Sequence, residues 1–329
     1  MMDPTRVLLL GAGRMGLDHV RAIQQMPEVA RVVAAMDPSQ SARESAKTEF
    51  GIDATYGDLH EALGEADADA VIVAAPNFLH AEYTLAALDA GLHVFVEKPM
   101  ALTLEDVDAM VASAKAANRL LMSGQSQRFS PQLRYVKHLV DQGKVGTIRH
   151  VVHRRMGAGR GGDENSWFSR QAQSGGILPG IGVHSLDVLL WWLNDTAKTV
   201  FAVVQNREKH PAIDIEDETS LVAVMRGGAI LNAALSFNYN AGTEWIVAGD
   251  DGVLHVDAQR DAVTFSGELL AVPSEVPLAG ETSIQREFFT AIRDARPLAQ
   301  AAGHEIRDVM ALIFAAQESG RTGLAVEVQ

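Results

Sequence analysis

Along the first 124 residues the apolar positions gather into short unbroken runs: "RVLLL" (6–10), "RVVAAMD" (31–37), "DAVIVAAP" (69–76), "HVFVEKP" (93–99) and "RLLMSG" (119–124). Between them lie stretches with a helical spacing of apolar residues. Runs of this kind alternating with helices predict a parallel sheet covered by helices. The helix after "HVFVEKP" opens at Thr103 with Asp106 three residues on, a capping box, and its periodic stretch ends near Asn118.

Beyond residue 124 the pattern changes. Ser130-Pro131 has the order of a helix start and Gly143 that of a stop. Strand-like runs then follow without regular helices between them: "TIRHVVHRRM", "TVFAVVQNR", "TSLVAVMR", "AILNAALSFNY", "EWIVAGD", "GVLHVDA" and "AVTFSGELLAV". Gly227-Gly228 and Asp251-Gly252 stand where hairpin turns are needed, so this half predicts a mostly antiparallel sheet. Helical stretches at about 284–295 and 303–319 close the chain. The longest irregular piece is 157–176, and the acidic run "DIEDE" (214–218) reads as a solvated approach to a strand.

The expected organisation is an α/β protein with a doubly wound domain over 1–124 and a second domain over 125–329, its last helices free to pack back on the first. A length of 329 residues with 47% hydrophobic content accords with two domains. The absence of cysteine excludes disulfides, thiolate metal sites and Cys nucleophiles. A formal net charge of −14 opposes nucleic-acid backbones and anionic membranes, and the short basic stretch "HRRMGAGR" (153–160) does not offset it. The N-terminal apolar run lacks the layout of a signal peptide, and no uncharged run reaches the ~18–20 residues of a membrane span, so a soluble cytoplasmic protein is expected. No His/Asp/Glu spacing suggests a metal.

The first candidate chemistry is "GAGRMG", in which Gly11, Gly13 and Gly16 follow a strand and open a helix, with Arg14 and Met15 in the same turn. The first glycine permits the turn, the second admits a pyrophosphate to the backbone, and the third lets helix and strand approach. Asp37, at the end of the next strand, is placed to bind adenosine ribose hydroxyls and to repel a 2′-phosphate, which favours NAD over NADP. Arg43, on the following helix, tempers that preference. In "APNFLH", Pro76, Asn77 and His80 either line the nicotinamide ribose or simply turn and cap the next helix. Glu97 and Lys98 stand where the chain leaves a buried strand, with Pro99 restricting Lys98 to extended backbone. A lysine there either faces the cofactor edge or is an ordinary surface residue.

Taken with "QRFSP", "GGILPGIGVHSLD" (175–187) and "GHEIRDVMALIFAAQESG", these segments resemble the Gfo/Idh/MocA oxidoreductases over nearly the whole chain. The resemblance implies a Rossmann domain followed by an open-faced, mostly antiparallel α/β domain, and NAD(P)-dependent oxidation or reduction of sugars, cyclitols or related hydroxy compounds. It implies that Gly11, Gly13, Gly16 and Asp37 hold the dinucleotide, that Lys98 is the lysine at the active site and that His184 is the catalytic histidine. Alcohol oxidation needs a base near neutral pKa and a cation for the developing alkoxide, roles that suit His184 and Lys98. His184, Asp187 and Trp191 share a helix face, and Asp187 is a candidate to orient the imidazole or bind a substrate hydroxyl. Arg128, Arg154, Asn165 and Trp167 are weaker candidates for substrate contact.

One position departs from the family pattern. Many relatives carry an acid four residues before the histidine, where this chain has Gly180, preceded by Pro179. The main expectation is hydride transfer at a ring hydroxyl or ketone of a sugar, sugar derivative or cyclitol. The alternatives are an NAD-assisted lyase or glycosidase with transient substrate oxidation, and a non-catalytic dinucleotide-binding regulator. An open sheet face further predicts a homodimer or homotetramer.

Overall fold

In the computed structural model, which describes residues 3–157, 166–206 and 213–329, the chain divides into two units. The first comprises residues 1–125 and 280–307, the second 126–279 and 308–329. The segment 280–307, placed by sequence in the second domain with its helices free to pack back on the first, clusters with the first.

The first unit is built on β1 (Thr5–Leu10), α1 (Arg14–Gln24), β2 (Ala30–Met36), α2 (Gln40–Phe50), β3 (Ala54–Tyr56), α3 (Leu59–Glu65), β4 (Ala70–Val73), α4 (His80–Asp89), β5 (His93–Val96), α5 (Leu104–Ala117) and β6 (Leu121–Ser123). Its six strands are all parallel in the order β3-β2-β1-β4-β5-β6. The chain reverses direction across the sheet between β1 and β4, and the carboxyl ends of those strands flank a crevice. Strands β1, β4 and β5 read as unbroken apolar runs because both of their faces are covered; Leu8, Leu9 and Leu10 are fully buried. Thr103 caps α5 by accepting from the Asp106 N–H at 3.1 Å, and Asn118, at φ 52°, ends the helix in the left-handed region. Strand β3 is a three-residue edge strand, too short for an apolar pattern to mark it.

The second unit contains α6 (Pro131–Asp141), β7 (Ile148–Met156), α7 (Gln171–Ser174), α8 (Val183–Leu193), β8 (Ala197–Gln205), β9 (Glu218–Met225), β10 (Ile230–Ser236), β11 (Gly242–Gly249), β12 (Gly252–Asp257), β13 (Ala262–Phe265) and β14 (Glu268–Leu270). After these come α9 (Ile284–Arg293) in the first unit, α10 (Gly303–Thr322), which begins in the first unit and ends in the second, and β15 (Val326–Glu327). The nine strands run β14-β13-β12-β11-β7-β10-β9-β8-β15, antiparallel except for the β7–β10 pair at the centre. The run "AVTFSGELLAV" is two strands, not one. Ser266 at φ 47° and Gly267 at φ 91° turn it back on itself, as a two-residue hairpin requires.

Helix α8 packs on β7 and β10, with α6 beside it. The stretch Gln171–Leu193 is long and apolar enough to cross a membrane by length and composition, but 78% of its most apolar window is buried in the fold, which marks it as a core element. Trp192 is buried there and donates its indole N–H to the Leu133 carbonyl at 3.1 Å. The other face of the sheet carries Phe201, Val203, Val222, Val224 and Ile230, all more than 40% exposed. This is a larger apolar surface than isolated exposed side chains make.

Candidate active site

The glycine turn shows a different constraint at each position. Gly11 has φ 98°, and a Cβ there would lie 2.6 Å from the Ala74 carbonyl oxygen of the neighbouring strand. At Gly16 a Cβ would lie 2.0 Å from the Gly11 carbonyl oxygen, so α1 can approach β1 only without a side chain. Gly13 is exposed, its Cβ position meets nothing within 4 Å, and as N-cap of α1 it offers no side-chain hydrogen bond to the helix. The leading N–H groups of α1 are therefore not capped by Gly13, and open space lies before them, as a pyrophosphate needs. Arg14 and Met15 are exposed beside this space.

Asp37 follows β2 and is anchored from both sides. One oxygen accepts from the Ala12 N–H at 2.9 Å and the other from the Ser39 N–H at 2.8 Å. The carboxylate is thus fixed against the glycine turn with acceptor capacity left for ribose hydroxyls. Arg43 turns its guanidinium to the carbonyls of Asp37 and Pro38, at 2.6 and 3.0 Å. These residues fit the adenosine half of NAD.

Pro76, Asn77 and Lys98 stand at the carboxyl ends of β4 and β5, on the same sheet edge as the glycine turn and Asp37. Asn77 is buried and Lys98 half-buried. Two neighbouring candidates for cofactor contact make hydrogen bonds within the protein. The His80 ring is fully buried between the Pro99 carbonyl at 2.7 Å and the Ala75 carbonyl at 2.9 Å, tying the exit of β4 to the exit of β5. Burial dominates its titration and pushes its pKa down, although both carbonyl contacts oppose that.

Glu97 accepts from His19 Nε2 at 2.8 Å and from the Lys98 N–H at 3.1 Å, and its carboxylate lies 3.0 Å from where a Cβ at Gly124 would be. Burial alone would raise the Glu97 pKa. The hydrogen bond and charge of His19, with the charge of Lys98, outweigh burial and hold the pKa at about 2. His19 in turn meets the Gln285 side chain at 3.1 Å. Sequence reading passed over His19, although its place one helical turn from Gly16 on the buried side of α1 was visible. Lys98 is thus attached to a locked residue.

In the second unit, residues Leu178–Gly182 form a π-helical turn that runs directly into α8, placing His184 at its second position, half-buried. Such widened turns recur at functional sites. Asp187, a candidate to orient the imidazole or bind a substrate hydroxyl, is engaged by Arg128. Its carboxylate, fully buried, receives the Arg128 guanidinium at 2.6 and 2.9 Å, with Arg128 itself 4% exposed. Arg128 also lies 5.7 Å from the centre of the Trp191 ring. The two residues thus form a buried, charged unit beneath the start of α8.

At Gly180 a Cβ would stand 3.1 Å from the Phe168 ring, so an aromatic side chain occupies the direction in which relatives carry an acid. Trp167 is half-buried, edge-on to Phe168 at 5.8 Å. Arg154 lies on the exposed sheet face, paired with Glu244 at 3.1 Å, away from α8. Asn165 is outside the described residues. The run at 214–218 is also more than a solvated approach: Asp217 is fully buried, and Glu216 accepts from the Ile177 N–H at 3.3 Å. Burial, the largest influence on Glu216, pushes its pKa up.

Comparison with known proteins agrees with this arrangement. Residues 5–125 match the oxidoreductase family model with an NAD-binding Rossmann fold, and residues 133–255 match the GFO/IDH/MocA C-terminal domain. A 4-carboxy-2-hydroxymuconate-6-semialdehyde dehydrogenase from Sphingobium sp. is 29% identical over 299 residues, covering 88% of this chain and 91% of its own. An inositol 2-dehydrogenase from Saccharopolyspora erythraea is 29% identical over 273 residues, covering 81% of this chain and 77% of its own. Among solved structures, the aldose-aldose oxidoreductase of Caulobacter crescentus superposes with a TM-score of 0.87 at 25% identity, over 98% of this chain and 99% of that one. With a glycine turn built for a dinucleotide, a lysine on the same sheet edge and both halves matched, the chain belongs to the GFO/IDH/MocA family of NAD-binding oxidoreductases.

Proposed function

We propose that this protein is an NAD-dependent dehydrogenase acting at a ring hydroxyl, or the corresponding ketone, of a sugar, sugar derivative or cyclitol. The observation that carries the reading is that the glycine turn, Asp37 and Lys98 lie on one edge of one sheet, with Gly11 and Gly16 sterically unable to be anything else. NAD, when bound, supplies the hydride acceptor or donor. Gly13 and the start of α1 would hold its pyrophosphate, and Asp37 its adenosine ribose. Lys98 stabilises negative charge developing on the substrate oxygen, and His184 takes the proton in the oxidative direction. Inositol and aldose oxidation by the relatives named above supports a polyhydroxylated substrate.

Purified protein supplied with NAD or NADP and a panel of sugars, sugar acids and cyclitols should reduce NAD with at least one of them, followed by the absorbance of the reduced cofactor. Tight dinucleotide binding without cofactor reduction by any of them would overturn the reading. Lys98→Ala and His184→Ala should each lower kcat by about 100-fold or more while leaving NAD affinity unchanged. Unchanged turnover in both would remove them from the mechanism.

We further propose that a second copy of the chain covers the exposed face carrying Phe201, Val203, Val222, Val224 and Ile230. A stable monomer in sedimentation at micromolar concentration would overturn it.

A further inference from the structure

The helix-covered face of the second sheet contains a group of buried polar atoms that the fold does not satisfy. On β7, His153 and Arg155 are two residues apart and face the same side; by register, His153 stands beside Trp245 of β11, and Arg155 beside Leu235 of β10, which in turn pairs with Thr219 of β9. Arg155 Nη1, His153 Nε2, Trp245 Nε1 and Thr219 Oγ1 are each buried without a hydrogen-bond partner among the described residues. The group lies close to the histidine helix: a Cβ at Gly182, two residues before His184, would stand 3.0 Å from the Leu235 side chain.

Each atom has a defined hydrogen-bonding sense. His153 Nδ1 is 2.9 Å from the Glu244 carbonyl and must donate to it, so Nε2 carries the lone pair and accepts. Burial, only partly offset by that bond, holds the His153 pKa at about 3, so the ring is neutral near pH 7. Its ring stacks on Trp245 at 4.7 Å, fixing both. Arg155 and Trp245 can only donate. No acidic side chain pairs with Arg155 among the described residues, and burial alone, unopposed by any carboxylate, depresses its pKa. Arg155 is half-buried with its Nη1 shut off from solvent, and a guanidinium in that position without a counterion among the described residues is costly, since proteins keep buried charges paired. Arg128, the buried cation beside α8, has its partner in Asp187. Arg154, next in sequence, has Glu244. Among the described residues, then, Arg155 has no charge partner, and its partner is left to be supplied by a ligand.

We propose that Arg155, with the Trp245 N–H, receives a carboxylate of the substrate while His153 Nε2 accepts from an adjacent hydroxyl, so that the substrate is a polyhydroxylated acid rather than a neutral sugar or cyclitol. This names the substrate class of the dehydrogenase reading above and rests on it. A single cation among neutral donors suits a monoanionic carboxylate better than a phosphate dianion.

The test measures binding calorimetrically with D-gluconate against D-glucitol, D-galacturonate against D-galactose, and D-glucose 6-phosphate as the phosphate probe, all with NAD present. A hydrogen bond to a charged group contributes about 1.5–3 kcal/mol, so at least one acid should bind about 10- to 100-fold more tightly than its neutral counterpart. Arg155→Met should erase that preference while leaving binding of the neutral compound unchanged, and Trp245→Phe, which keeps the ring and loses the N–H, should weaken the acid severalfold. Because Arg155 has no charge partner among the described residues, Arg155→Met should also unfold at equal or higher urea concentration than the wild type, whereas a structural arginine would lower that midpoint. Wild-type protein that shows no preference for either acid, binds only the phosphate, or keeps its preference in Arg155→Met overturns the proposal. Cofactor reduction separates the two readings. Neutral polyols oxidised without acid preference leave the dehydrogenase reading standing, while acids bound through Arg155 but never oxidised retain the anion site and sink the dehydrogenase.

Discussion

Replacing Asp187 by asparagine keeps the shape of the side chain and removes its charge, leaving Arg128 buried without its counterion. With Asp187 fully buried and Arg128 4% exposed, solvent cannot relieve the loss. Breaking a buried pair on one side costs about 3–5 kcal/mol. At an m-value of about 2 kcal/mol/M in urea, this moves the unfolding midpoint down by about 1.5–2.5 M. Exchanging both partners for apolar residues, Arg128→Met with Asp187→Leu, removes the desolvation penalty along with the attraction and should recover most of the loss. The assay is supplied by the sequence. All four tryptophans, at 167, 191, 192 and 245, lie in the second unit, so tryptophan fluorescence follows the unfolding of that unit alone. Trp191, 5.7 Å from the guanidinium, reports the pair directly. A midpoint shift below about 0.5 M for Asp187→Asn, or a double variant whose loss equals the sum of its singles, would show that the pair is not the coupled structural unit described here.

Two further outcomes concern the first unit. The folded pKa of Glu97, about 2, lies below its ordinary value of 4.5, so its stabilisation is complete above pH 4.5 and is lost as pH falls toward 2. The shift corresponds to about 3 kcal/mol, of which about 2 is gone at pH 3. Amide exchange of α1 and β5 should therefore be faster in Glu97→Gln than in wild type at pH 7, with the gap much narrower at pH 3; an equal gap at both would mean that the carboxylate contributes no charge-dependent stability. The glycine turn permits a paired comparison. Gly13→Ala should keep the unfolding midpoint and lose NAD affinity by tenfold or more, because its Cβ meets only open space. Gly16→Ala, whose Cβ would meet the Gly11 carbonyl at 2.0 Å, should lower both affinity and stability, the latter by about 1–3 kcal/mol. Calorimetry of NAD binding beside urea unfolding checks this, and equal destabilisation by the two substitutions would refute it.

The doubly wound sheet was legible because both faces of β1, β4 and β5 are covered, so burial writes itself into unbroken apolar runs. Gly11 and Gly16 were legible because backbone geometry restricts what those positions can hold, and Asp37 because it ends the next strand about 20 residues on. Partners brought together by long-range folding were not. The distances from His19 to Glu97, or from Arg128 to Asp187, span 78 and 59 residues, and no spacing rule connects them. Arg154 and Arg155 illustrate the limit most sharply. Adjacent arginines on a strand point to opposite faces, and only the register of β7 shows that the second faces α8 while the first faces outward. The role of Gly180 was equally hidden, since Phe168, which fills its side-chain direction, comes from a loop with no periodicity to place it.

The division of the first unit into 1–125 and 280–307 also sets an order in time. Strands β1 to β6 leave the ribosome early, yet Phe288, which packs edge-on against Phe95 at 5.8 Å, is not yet synthesised. Nor is the Ala301 carbonyl that accepts the Ser123 N–H of β6 at 3.0 Å. At about 5–20 residues per second, Gly280 emerges roughly 8–30 s after Gln125. For that interval the nascent sheet holds an uncovered aromatic core and an open strand edge, the kind of surface on which chains associate wrongly. The most exposed moment in the life of this protein is thus its own synthesis, and it ends only when α9 and then Ala301 arrive.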